Sequence, residues 1–143
     1  MMAKGKVLLI EDEADLARLF ELALGRDGLR IRRARDAAAG LEAFRRWSPD
    51  VILLDVVLPD RCGLDLLEDL RAESRVPVIL ISGRRRPADQ ARADAFGVEA
   101  YLVKPFPLTE LRSRVRLALS RAAAPGPKRS SPARRPAGRS SPR

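Results

Sequence analysis

Short apolar runs alternate with amphipathic stretches five times along this chain, and that alternation restricts the fold more than any other feature. Lys6–Ile10, Leu29–Ala34, Val51–Leu54, Val76–Ile81 and Ala100–Val103 read as strands. Val51-Ile52-Leu53-Leu54 is continuously apolar, as expected of a strand covered on both faces. The intervening segments have helical spacing. Ala14–Asp27 places Leu16, Leu19, Phe20, Ala23 and Leu24 on one stripe, with Gly28 as a stop. Asp36 caps a second helix that turns Leu41, Phe44 and Trp47 inward and breaks at Ser48-Pro49. Leu64–Glu73, Pro87–Phe96 and Leu108–Arg121 complete the set, with Pro87 suited to a first helical position. Strands separated by helices require right-handed crossovers, and therefore a parallel sheet with helices on both faces.

Composition removes several function classes. The 143 residues suffice for one domain with a buried core. No histidine occurs and Cys62 is the single cysteine, so a Ser-His-Asp or Cys-His nucleophile and a Cys/His zinc site are excluded. One cysteine cannot form an intrachain disulfide, which fits a reducing compartment. No apolar run approaches the ~20 residues that span a bilayer, and Met1 opens no signal-peptide pattern. The expected location is the cytoplasm.

The net charge of +9 is uneven. Residues 1–120 carry 21 Lys/Arg against all 19 Asp/Glu, whereas residues 121–143 carry seven Lys/Arg and no acid. That last segment contains five of the eleven prolines and no apolar side chain larger than Ala or the proline ring. It cannot bury enough surface to offset its ordering entropy. The expected organisation is a folded domain over 1–122 and a disordered basic Pro/Ser/Arg-rich tail over 123–143. Such a tail could bind nucleic acid weakly or touch an acidic partner. It has no aromatic residue for base stacking, so a solvated extension is the simpler reading.

Functional groups in a sheet of this kind gather beyond the carboxyl ends of its strands. The polar residues at those positions are Glu11, Asp12 and Glu13 after the first strand, Asp55 after the third, Ser82 after the fourth and Lys104 after the fifth. Crowded carboxylates need a cation, and all-oxygen ligation suits Mg²⁺. A carboxylate beside Mg²⁺ and an ammonium can attack phosphorus to give an aspartyl phosphate, with the hydroxyl bonding a phosphoryl oxygen. A plainer reading is available for each group. Glu11, Asp12 and Glu13 also favour a helix start, which is the main role expected of Glu13. Asp55 could be a loop acid, Ser82 a turn hydroxyl and Lys104 a surface lysine. Cys62 reads as a loop thiol.

Four pieces in order, VLLIEDE, VILLDVVLPDRCG, ILISG and YLVKPF, give the chain a resemblance to the receiver domains of two-component response regulators. The spacings fit as well: 43 residues from Asp12 to Asp55, 27 to Ser82 and 22 to Lys104. The likeness runs from about Lys6 to Ala122. It implies a flavodoxin-like, doubly wound (βα)5 fold: a five-stranded parallel sheet of order 2-1-3-4-5 in a three-layer sandwich. It implies Asp55 as phosphoacceptor, and Mg²⁺ held by Glu11, Asp12, Asp55 and the Val57 carbonyl, with Glu11 acting largely through water. Lys104 would contact phosphoryl oxygens, Ser82 and Tyr101 would switch together, and the Lys104-Pro105 bond would be cis. Glu11 stands where Asp is commoner and Ser82 where Thr is commoner. Arg84-Arg85-Arg86 is unusually basic; it reads as a solvated helix start, although Arg84 could lie near the acyl phosphate.

The expected function is that of a single-domain response regulator rather than an enzyme, apart from self-catalysed phosphoryl transfer and autodephosphorylation. A histidine kinase or histidine phosphotransfer protein would supply the phosphohistidine, docking along the first helix where Arg18 and Leu22 face outward. A downstream protein would read the face of the fourth helix, fifth strand and fifth helix. Two other classes compete. One is a docking or adaptor protein that keeps the fold without the chemistry and uses its basic tail; the intact acid, serine and lysine set weighs against it. The other is a phosphate-ester hydrolase, which normally needs a further acid/base and a cap that this short chain has no insertion to build.

Overall fold

The computed structural model describes residues 5–123. In chain order it contains β1 (Lys6–Ile10), α1 (Ala14–Gly25), β2 (Arg30–Ala34), α2 (Ala37–Trp47), β3 (Val51–Asp55), α3 (Gly63–Glu73), β4 (Val78–Ser82), α4 (Pro87–Phe96), β5 (Ala100–Val103) and α5 (Leu108–Ala123). The strands form one parallel sheet in the order β2-β1-β3-β4-β5. This is the expected flavodoxin-like (βα)5 sandwich. The tail expected over 123–143 lies outside the described residues, Ala123 excepted.

Strand alternation divides the core into two layers. Leu8, Ile10, Ile52, Leu54, Val78 and Leu80 face α2, α3 and α4, where they meet Leu64, Leu67, Leu70 and Ala93. Val7, Leu9, Val51, Leu53, Ile79 and Ile81 face α1 and α5, where they meet Phe20, Leu24, Leu111 and Val115. Both faces of β3 and β4 are fully buried, which explains their unbroken apolar sequence. Against Ile10, α2 lies so close that a Cβ on Gly40 would fall 2.6 Å from the isoleucine Cδ1.

Three local readings change. α1 stops at Gly25 rather than Asp27, and Asp27 and Gly28 instead close turns through N–H bonds to the Leu24 and Gly25 carbonyls. β4 starts at Val78, because Pro77 has no N–H to add to a ladder. Leu19 lies on the rim of the buried α1 stripe and is 45 % exposed. Trp47 packs against the core half-buried, as Leu41 and Phe44 do, with Lys6 and Arg32 placed over its ring at 5.4 and 4.7 Å.

Candidate functional site

Parallel pairing brings the ends of β1, β3, β4 and β5 to one edge of the sheet. Asp55 is the last residue of β3 and sits opposite Ile81 of β4, one position before Ser82. Ladder-like bonds continue past the strands: Glu11 N–H donates to the Ala34 carbonyl, Val56 N–H to Ile81 and Lys104 N–H to Ser82. Glu11, Asp55 and Ser82 are buried, and Lys104 is only partly exposed.

One ligand oxygen from each of Glu11, Asp12 and Asp55 can be chosen so that all three lie within 4.8 Å of one another. Lys104 Nζ is 3.1 Å from Asp55 Oδ2 and 3.5 Å from Glu11 Oε1. Asp55 Oδ1 accepts from the Val57 N–H at 3.0 Å, and Glu11 Oε2 accepts from the Glu13 N–H at 3.1 Å. Glu11 Oε1 makes no hydrogen bond, because the lysine reaches it without hydrogen-bond geometry. Burial first, and then the adjacent Asp55, push the Glu11 carboxyl up to about 7. Burial works against the Lys104 ammonium, but Asp55 and Glu11 together hold its pKa above the ordinary value. A buried carboxylate oxygen without a donor, beside two more carboxylates, fits a hard divalent cation such as Mg²⁺ better than it fits a closed protein network.

The remaining expected residues have definite places. Val57 is exposed beyond β3 and forms an isolated antiparallel bridge with Cys62, the half-buried N-cap residue of α3. Ser82 Oγ accepts the Arg84 N–H at 3.1 Å. Tyr101 is half-buried on edge strand β5, with its hydroxyl 3.5 Å from the Arg84 carbonyl. The Lys104-Pro105 bond is cis. Glu13 is the N-cap residue of α1, without a side-chain cap bond. Arg85 and Arg86 are solvated as expected, but Arg84 is not: its guanidinium is paired with Asp89 at 2.9 Å.

Three supporting residues escaped the sequence reading. Arg33 donates to the Glu11 and Asp12 carbonyls, both at 3.0 Å, and so fixes the acidic loop from β2. Asp60 accepts from the Ala37 and Ala38 N–H groups at 2.9 Å, tying the β3–α3 loop to the start of α2. Gly63, the first residue of α3, is the third. A Cβ there would overlap the Asp55 carbonyl oxygen and stand 2.9 Å from Val56 Cα, so only glycine lets α3 start against the end of β3.

Residues 7–116 match the family described as Response regulator receiver domain. The chain belongs to that family. It is 42% identical over 115 residues to the KDP operon transcriptional regulatory protein KdpE of Escherichia coli K12, covering 80% of this chain and 51% of KdpE. It is 40% identical over 115 residues to the transcriptional regulatory protein CseB of Streptomyces coelicolor, with 80% and 49% covered. The chain thus spans about half the length of the curated relatives it matches. Among solved structures, the BeF3-activated N-terminal receiver domain of Klebsiella pneumoniae RstA superposes with a TM-score of 0.75 at 27% identity, covering 80% of this chain and 97% of that one. A CheY-like receiver domain protein from Methanospirillum hungatei JF-1 gives 0.79 at 22% identity, with 82% and 94% covered, a likeness of fold alone. Receiver domains are signalling modules of two-component systems and are generally not enzymes. Among the described residues, no helix is long and apolar enough to cross a membrane.

Proposed function

We propose that this receiver accepts a phosphoryl group on Asp55 from the phosphohistidine of a histidine kinase or phosphotransfer protein. The observation that carries the reading is the Asp55 carboxylate, 4 % exposed, with Lys104 on one oxygen, the Val57 N–H on the other and two acids beside it. Asp12, Asp55, the Val57 carbonyl and, largely through water, Glu11 would hold Mg²⁺, which when bound supplies positive charge to the phosphoryl oxygens.

An Asp55 oxygen attacks phosphorus in line, and the phosphorus–nitrogen bond of the donor breaks, leaving its imidazole to take up a proton. Lys104 stays with the negative charge as it passes from the carboxylate to the phosphoryl oxygens. Water later attacks the same phosphorus, releasing inorganic phosphate and restoring the carboxylate. Once the phosphoryl group is in place, the Ser82 hydroxyl donates to one of its oxygens and Tyr101 follows. That rearrangement shifts a two-state equilibrium and changes the face formed by α4, β5 and α5, which a downstream protein reads. The phosphodonor protein would dock along α1, a reading supported by the exposure of Arg18 and Leu22 there. Output through a separate downstream protein and a cytoplasmic location belong to this proposal.

The test is incubation with Mg²⁺ and a small acyl phosphate, read by intact mass. One added phosphoryl group is expected, absent in Asp55→Ala and without Mg²⁺. No adduct from either a small donor or a phosphorylated kinase would favour a docking protein that keeps the fold without the chemistry.

A further inference from the structure

Arg84 holds three contacts at once. Its amide donates to Ser82 Oγ at 3.1 Å, its carbonyl lies 3.5 Å from the Tyr101 hydroxyl, and its guanidinium donates to Asp89 Oδ2 at 2.9 Å. Asp89 is 9 % exposed, and Arg84 is its one ion-pair partner among the described residues. It is the third residue of α4, a helix whose N-cap, Arg86, provides no side-chain cap.

We propose that the Arg84–Asp89 pair is a latch that holds the β4–α4 connection in its resting arrangement, with Asp89 as the positioning residue. The inference rests on Ser82 being the hydroxyl that follows the phosphoryl group. When Ser82 Oγ turns toward Asp55, it leaves the Arg84 N–H without its acceptor, and residues 83–86 have to shift to find another. That shift moves the Arg84 backbone while its guanidinium is still fastened to the first turn of α4. The ion pair therefore opposes the switch, and opposes it through a side chain that touches no reacting atom.

Asp89 has somewhere to go when Arg84 leaves. A carboxylate at the third position of a helix can accept from the N-cap N–H and interacts favourably with the positive end of the helix dipole. Released, Asp89 supplies the cap that α4 lacks in the resting state. The carboxylate thus has two arrangements, one with Arg84 and one with the helix end. A two-state element needs such a choice if phosphorylation is to bias it.

The experiment titrates the ¹⁵N-labelled full chain with beryllofluoride in excess Mg²⁺ and follows the amides of residues 82–86. Arg84→Gln is expected to reach half-saturation at about five-fold lower beryllofluoride, and Asp89→Asn, which also gives up the helix-end arrangement, to move less far in the same direction. The double variant should gain no more than either single one, and Arg84→Lys should remain close to the wild type. An unchanged half-saturation in Arg84→Gln, or additive effects in the double variant, would overturn the latch while leaving Asp55 as the acceptor. If Asp89→Asn does not fold, Arg84→Gln against Arg84→Lys decides the same point: equal half-saturation in the two overturns the latch. No adduct in the wild-type chain would overturn the phosphoacceptor reading, and the latch with it.

Discussion

The two ends of the sheet treat buried charge in opposite ways. At the amino edge, Arg71 sits between α3 and α4 with its guanidinium spent on backbone carbonyls: Phe96 at 3.0 Å, Gly97 at 2.8 Å, Val76 at 2.8 Å and Ser74 at 3.3 Å. Burial lowers its pKa to about 10, but each guanidinium nitrogen has a carbonyl acceptor. At the carboxyl edge, Glu11 is buried more deeply than the half-buried Arg71, yet one of its oxygens has no donor and its pKa is pushed up to about 7 by burial and by Asp55. A buried charge whose bonds are complete holds the chain together. One whose bonds are incomplete lowers folding stability and leaves an oxygen that a cation could serve.

That contrast predicts mutational effects of opposite sign. Arg71→Ala removes the donor to four carbonyls at once, and urea unfolding should show a loss of about 2–4 kcal/mol. Acceptor capacity at Asp55 should survive in whatever fraction remains folded. Glu11→Gln removes a charge that the protein satisfies poorly. It should leave stability unchanged or raise it by about 1 kcal/mol, while weakening Mg²⁺ binding by about ten-fold or more. Thermal melts and Mg²⁺ titrations on the two variants separate the roles. A Glu11→Gln protein that melts well below the wild type would place Glu11 with Arg71, as a structural charge.

How much of this was legible beforehand depends on whether a residue acts through its own strand or across the fold. The sheet and its acidic edge could be read because each apolar run ends on the residue that matters: Ile10 leads to Glu11, Leu54 to Asp55, Ile81 to Ser82 and Val103 to Lys104. Arg33, Arg71 and Asp60 could not. Their partners lie 21 to 26 residues away in most cases, and the same side chains would look like ordinary surface charge at any other register. Helical spacing places Leu19 on the α1 stripe but does not give the stripe's width; Phe20 and Leu24 are buried in the core and Leu19 lies at its rim. Arg84 was grouped with Arg85 and Arg86 because a run of like charges suggests solvent, and only the folded chain places Asp89 within its reach.

Asp60 sharpens the comparison, because it shares the carboxyl edge with Glu11 and yet is fully served. Asp60 is exposed, and the slight desolvation that pushes its pKa up is outweighed by the N–H groups of Ala37 and Ala38, which hold the carboxyl below its ordinary value. Because the folded state favours the ionised form, this carboxylate contributes stability above the ordinary Asp range near pH 4, and the contribution is lost as pH falls through the lowered folded value. Asp60→Ala should therefore cost about 1 kcal/mol at pH 7, the usual scale of a lost helix cap. The difference from wild type should shrink as the pH drops below about 4, where both proteins lack the charged cap. Mg²⁺ affinity should stay within about two-fold of the wild type, since the change leaves Glu11, Asp12 and Asp55 in place. Urea melts at pH 7 and pH 3 with a Mg²⁺ titration test both statements. A large drop in Mg²⁺ affinity would mean that the β3–α3 loop, and not only the strand ends, sets the geometry of the acidic cluster.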